Sequence, residues 1–244
     1  KFLLKLYNDV KLGHIKELST SSIYLKPLLD NPKHLNMNNV SIPSSNNELD
    51  YFNINFLTLL FQYRSLLFLT HAADNYNNKV NIKKMDIDEA YNSINIEICD
   101  VVRAHCTYFI FDNFHKSILK VNDIAIKSIL EKLLILFALK NIIEGQWYGI
   151  INAQHIIHVR KAIEIILLQI RPDIIPLTDA FDIPDNILNS TLGCKDGNVY
   201  ERLYTSALKS TLNKTDPFDG VEILQRNLDF KLLKYKNNTL PSNL

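Results

Sequence analysis

Phe56-Leu57-Thr58-Leu59-Leu60-Phe61-Gln62-Tyr63-Arg64-Ser65-Leu66-Leu67 is the stretch that decides the fold. Phe56, Leu60, Tyr63 and Leu67 recur at spacings of 4, 3 and 4, which places them on one face of an α-helix. Downstream, residues 84–120 carry a second such pattern through Ala90, Ile94, Ile98, Val101, Val102, His105, Phe109 and Phe114. Ile126, Ile129, Leu130, Leu133 and Phe137 mark a third helix, with Asn122 and Asp123 placed to cap it. Gly145 and Gly149 flank a break around Trp147. A fourth helix follows from about Asn152 through Ile156, Val159, Ile163, Ile166, Leu167 and Ile170. Arg171-Pro172 turns it, because proline lacks an amide donor and restricts the residue before it. A short helix is predicted over 174–180, another start at Pro184, and a last helix through Val199, Leu203, Tyr204, Ala207 and Leu208. No stretch alternates with period 2 between turn residues. The prediction is an all-α bundle of about five or six main helices.

Upstream of this pattern, residues 1 to about 12 read as a helical end. Residues 26–50, rich in Ser, Asn and Pro, read as an irregular crossing. The expected organisation is 1–25 as the end of an upstream helical domain, 26–50 as linker, 51–235 as the helical domain and 236–244 as tail. Because Lys1-Phe2-Leu3-Leu4-Lys5-Leu6-Tyr7 opens inside a helical pattern, the chain is expected to be the C-terminal piece of something longer.

Composition removes several functions. The 244 residues hold 27 Lys+Arg against 26 Asp+Glu, a formal charge of +1. That lacks the basic excess of a nucleic-acid or polybasic membrane-surface protein. Six glycines disfavour sandwiches and Gly-rich phosphate loops. The longest apolar run, Leu133 to Leu139, is stopped by Lys132 and Lys140, short of the ~20 residues a spanning helix needs. Cys99, Cys106 and Cys194 form no framework and point to a reducing compartment. Cys99 and Cys106, seven apart on one helical face, are expected to be buried thiols.

Catalytic motifs are absent: no G-x-S-x-G, H-E-x-x-H, G-x-x-x-x-G-K-[ST] or G-x-G-x-x-G occurs. His155 and His158 share a helix face, but no carboxylate or cysteine completes a metal set, so no metal is expected. His105 falls inside an apolar pattern. Its ring is expected to be partly buried, held either by backbone of a neighbouring helix or by a polar group of a cofactor. Asp182 and Asp185, and later Asp196, Asn198 and Glu201, are read as helix caps rather than as acid–base pairs.

Two segments carry a resemblance. Asp179-Ala180-Phe181-Asp182-Ile183-Pro184-Asp185, then Leu192-Gly193 and Asp196-Gly197-Asn198-Val199-Tyr200-Glu201-Arg202-Leu203, then Leu212-Asn213-Lys214, resemble the C-terminal region of peroxisomal acyl-CoA oxidases in order and spacing. Lys1 to Tyr7 is similar to the helix after that family's catalytic loop, and Ala104-His105-Cys106 to an Ala-His-Cys on a long helix of its C-terminal domain. The resemblance covers nearly the whole chain and is weakest over 25–55.

The resemblance implies an FAD enzyme that oxidises acyl-CoA to trans-2-enoyl-CoA and reduces oxygen to hydrogen peroxide, the first step of peroxisomal fatty acid β-oxidation. It implies a homodimer, with FAD bound mainly by N-terminal parts that this chain lacks. The family's glutamate base belongs to a Gly-Glu-(Asn/Asp) segment shortly before the position of Lys1. Glu17, the first glutamate here, sits in another context. No catalytic residue is therefore expected in this chain, which should be inactive alone, and His105 is the one residue considered for cofactor contact. Two other readings accompany it: a non-catalytic helical interaction module derived from the family, and a paralogue of acyl-CoA dehydrogenase type. Ser242-Asn243-Leu244 has the outer residues of a Ser-Lys-Leu peroxisomal address without the basic middle one.

Overall fold

Asn53 starts the central helix. Its side-chain oxygen accepts from the backbone N–H of Asn55 and Phe56, satisfying two donors the first turn leaves open. In the computed structural model, which describes residues 1–30, 47–145, 147, 149–213, 226 and 228, this helix is the third of the chain. The order is α1 (Phe2–Lys11), a 3-10 turn (Thr20–Leu25), α2 (Lys26–Asp30), a second 3-10 turn (Glu48–Phe52) and α3 (Ile54–Asn77). Then come α4 (Ile87–Asn92), α5 (Asn95–Ile118), α6 (Ile124–Glu144), α7 (Ala153–Ile170), α8 (Ile174–Asp179), α9 (Asp185–Leu188) and α10 (Val199–Lys209). Among the described residues there is no strand, so the all-α prediction holds.

The chain divides into two compact units, Lys1–Pro176 and Leu177–Leu244. In the first, α3 is buried around most of its circumference: Leu57, Leu60, Phe61, Leu66, Leu69, Ala72 and Ala73 are all covered, as are the polar Arg64 and Ser65, while Leu59 and His71 stay exposed. Helix α5 packs along it, α6 packs on α5, and α7 returns along α6. Ala104 lets α3 and α5 approach closely enough for Ser65 Oγ to donate to its carbonyl at 3.1 Å. Phe61 stacks at a tilt on Phe111, with centroids 5.2 Å apart. Each such fully buried side chain contributes about 1.5–3 kcal/mol.

Several expectations shift in register. On α5 the covered edge is Val101, Ala104, Tyr108 and Phe111, while Val102 and Phe109 are each 46% exposed. Cys99 and Cys106 are exposed, not buried as expected. They do share a face, but at 3.6 residues per turn it lies opposite the buried edge. On α6 the stripe is Leu134, Ile135, Ala138, Leu139 and Ile142, and Ile126 is exposed. Asp123 caps α6 as anticipated, accepting from Ala125 and Ile126 N–H.

Helix α1 packs on α3 within the first unit, with Leu4, Tyr7 and Val10 buried. The crossing expected to be irregular is partly folded: Leu28 is buried, and Pro27 sits in the first turn of α2, where a missing amide costs nothing. Residues 31–46 lie outside the described residues, as does the tail with Ser242-Asn243-Leu244. The helical domain expected over 51–235 is divided at Pro176. Among the described residues none after Ile170 is buried, and Ile174, Phe181, Ile187, Leu192, Tyr200 and Leu208 are all exposed.

Candidate functional site

Tyr24 brings the first unit's polar cluster together. It lies in the Ser-rich turn before α2, only 2% exposed, and its hydroxyl is 2.9 Å from His105 Nδ1 on α5. Its ring meets that of Tyr108 edge-on at 5.6 Å, and Gln62 Nε2 of α3 donates to the Tyr108 hydroxyl at 3.2 Å. His105 is half-buried between Tyr24 and the stacked Phe109 ring. Its Nδ1 is thus held by a side-chain hydroxyl. Burial raises the Tyr24 hydroxyl and the Tyr108 hydroxyl, the latter opposed by the Gln62 bond, and lowers the His105 imidazole. All three are uncharged at neutral pH. Such a string orients its members and offers no charge to a reaction.

Arg64 forms a second cluster. It is 4% exposed, its guanidinium lies 4.6 Å from the Trp147 ring centroid and 5.4 Å from that of Phe68. Burial pushes it down to about 10, with the Asp100 charge opposing the shift, so it remains a cation. Its Nε is buried without a hydrogen-bond partner, a cost the two aromatic faces partly offset. Gly145 makes room for this arrangement. A Cβ there would stand 2.6 Å from the Asn141 carbonyl, 2.9 Å from Trp147 Nε1 and 3.1 Å from an Arg64 nitrogen.

The two motif segments meet inside the second unit. Arg202 Nε lies 3.1 and 3.0 Å from the two Asp196 oxygens, its terminal nitrogen 2.9 Å from Asp196 and 3.9 Å from Asp185. Lys195 pairs with Asp179 at 3.3 Å. These contacts hold Asp196 low and Arg202 high, the hydrogen bond between them being the largest cause. The capping roles expected here are corrected. Pro184 precedes α9 with no side-chain cap, Asp182 adopts φ 50°, and Asn198 precedes α10 without capping it through its side chain. The carboxylates face Arg202 and Lys195 because a cation attracts them more strongly than a short helix's end.

His155 closes a capping box with Asn152 at the start of α7. His158 Nδ1 lies 3.4 Å from Glu48 Oε2, and the Glu48 carboxyl is held low chiefly by a backbone hydrogen bond. Among the described residues no group of three or more His, Cys, Asp or Glu could hold a metal ion, and no helix is long and apolar enough to cross a membrane. A flavin dinucleotide needs converging donors for two phosphates. The cleft of about 300 Å³ beside Tyr24 offers Lys26 set against Asp30, and the cleft of about 420 Å³ between α3 and α5 offers Glu97 and Asp100. Neither of these two clefts fits that cofactor.

Sequence reasoning missed Tyr24 and Arg64. The available signals were a lone aromatic between Ile23 and Leu25 in a serine run, and a lone cation in an apolar helix.

The first unit is thus a helical bundle, and the second holds an Asp–Arg clasp. A family model described as acyl-CoA oxidase matches residues 53–227. Peroxisomal acyl-coenzyme A oxidase 1 of Bos taurus is 30% identical over 237 residues, 92% of this chain and 34% of that protein. The Rattus norvegicus protein of the same name is 30% identical over 95% of this chain and 35% of its own length. Among solved structures, acyl-CoA oxidase-1 of Caenorhabditis elegans in apo form superposes with a TM-score of 0.74 at 25% identity, covering 94% of this chain and 35% of that one. Acyl-CoA oxidase-2 of the same organism, bound with FAD, ascaroside-CoA and ATP, gives 0.71 at 25% identity, covering 95% and 32%. The chain belongs to the acyl-CoA oxidase family. It spans about a third of the length of the curated relatives it matches.

Proposed function

We propose that this chain is the C-terminal helical part of a flavin-dependent acyl-CoA oxidase of the peroxisome. The full-length protein would oxidise acyl-CoA to trans-2-enoyl-CoA and reduce oxygen to hydrogen peroxide, opening fatty acid β-oxidation. The family match over residues 53–227 carries this reading, and the peroxisomal names of the relatives support the compartment. FAD, when bound, supplies the redox chemistry, and it would be held mainly by residues outside this chain. The glutamate base would likewise lie upstream of Lys1.

The role left to these residues is mechanical. The buried α3, packed with α5 and followed outward by α6 and α7, forms a rigid scaffold that can exclude water beneath a long acyl-CoA site and present a homodimer surface. His105, tied to Tyr24, acts as a positioning residue within it. The test is purification of the full-length protein: it should be yellow and release peroxide on acyl-CoA, while the 244-residue chain alone should not. A colourless, inert full-length protein would refute the reading in favour of a helical interaction module. Fusing the last dozen residues to a fluorescent protein tests the tail: a punctate peroxisomal signal would mean that Ser242-Asn243-Leu244 suffices, and a diffuse one that import relies on another signal or on a partner subunit.

A further inference from the structure

Apolar contact alone would leave α1 free to slide on α3, yet polar bonds fix it at one register. Leu4, Tyr7 and Val10 supply the buried face. Beside them Asn77 Nδ2 donates to Asn8 Oδ1 at 2.8 Å, and Asn8 Nδ2 donates back to Asn77 Oδ1 at 3.2 Å. Lys11 Nζ reaches Asp74 at 3.1 Å one turn away, and Lys1 Nζ reaches Asp88 of α4 at 2.9 Å at the other end. The reciprocal amide pair is the selective element. Each side chain must offer both a donor and an acceptor in the same plane, which only another amide matches. Sliding α1 by one residue moves it 1.5 Å and turns Asn8 by about 100°, so both bonds break together. A part-buried neutral pair adds little net stability, so its main effect is on geometry.

We propose that the Asn8–Asn77 pair is a positioning element that sets the register of α1 and, through it, the placement of the residues joined to its N-terminal end. This rests on the oxidase reading, in which those residues carry the glutamate base. Removing an α-proton while hydride leaves the β-carbon demands close alignment, and a displacement of about 1 Å far from the reacting atoms can cost about 10²-fold.

The experiment uses full-length flavoprotein with Asn77→Asp, nearly isosteric, in which a second acceptor replaces the donor facing Asn8 Oδ1. Anaerobic flavin reduction by saturating acyl-CoA should slow at least about tenfold, with FAD content and acyl-CoA Kd within about twofold of wild type. Asn8→Asp should behave alike. If the Asp variants fold poorly, Asn8→Ala/Asn77→Ala keeps the apolar docking and should show the same split. An unchanged reduction rate, or a loss that only tracks lost FAD or a lower Tm, overturns the proposal. A wild-type protein that acyl-CoA does not reduce overturns the oxidase reading and this proposal with it.

Discussion

Gly145→Ala tests the packing around Arg64 and Trp147 directly. The residue has φ −84° and ψ 162°, a conformation alanine adopts freely, so any cost is steric. The added methyl would stand 2.6 Å from the Asn141 carbonyl, which already accepts from Gly145 N at 3.0 Å. Backbone cannot yield there as a flexible side chain can, so the end of α6 must open and carry Trp147 away from Arg64. Overpacking of this kind costs about 1–3 kcal/mol. Losing the desolvated cation–π contact adds up to about 2 kcal/mol. The stiffer unfolded chain offsets about 0.4–1 kcal/mol. The net expectation is a loss of about 2 kcal/mol, or about 4–8 °C in Tm at this size. Trp147 is the only tryptophan, so its emission reports the site with no background. Urea titration should show an earlier midpoint and a red-shifted native emission. A Tm within about 1 °C of wild type, with unshifted emission, would refute the steric argument.

Tyr24→Phe should lower stability by about 1–3 kcal/mol by leaving the half-buried His105 Nδ1 without its partner, read by chemical denaturation. Because burial depresses the His105 pKa below its ordinary 6.5, the unfolded chain binds the proton more readily. The stability it contributes is complete above about pH 6.5 and is lost as pH falls through the folded value, so NMR should find the ring titrating below 6.5. His105→Gln in the full-length protein should lower Tm without changing flavin affinity; lost flavin at unchanged stability would mean that it reaches the cofactor. Native alkylation followed by mass spectrometry should label the exposed Cys99 and Cys106 faster than the half-buried Cys194. Arg202→Lys keeps the charge but loses the planar fork on Asp196, so amide exchange across 189–198 should quicken, and added salt should narrow the difference from wild type.

The main helices and their order were legible in the chain, because a 3.6-residue period and a side-chain cap such as Asp123 act within one turn; α2, and the break that splits the 84–120 pattern into α4 and α5, were not. The motif segments were legible too, as residue strings whose order points to a family. Which face of each helix is buried was not. Helix α3 is apolar almost all round, and on α5 and α6 apolar residues occupy more of the circumference than the neighbours cover. Periodicity therefore placed Cys99 and Cys106 together but could not say that their shared face is the outer one. Partners distant in sequence were equally hidden: Tyr24 and His105 are 81 residues apart, and Asn8 and Asn77 are 69 apart. Only the packing of whole helices brings such pairs within 3 Å. Local chemistry decided that this chain is helical, and the mutual fit of those helices decided which polar groups meet, because hydrogen bonds act over ångströms and the chain between them spans many turns.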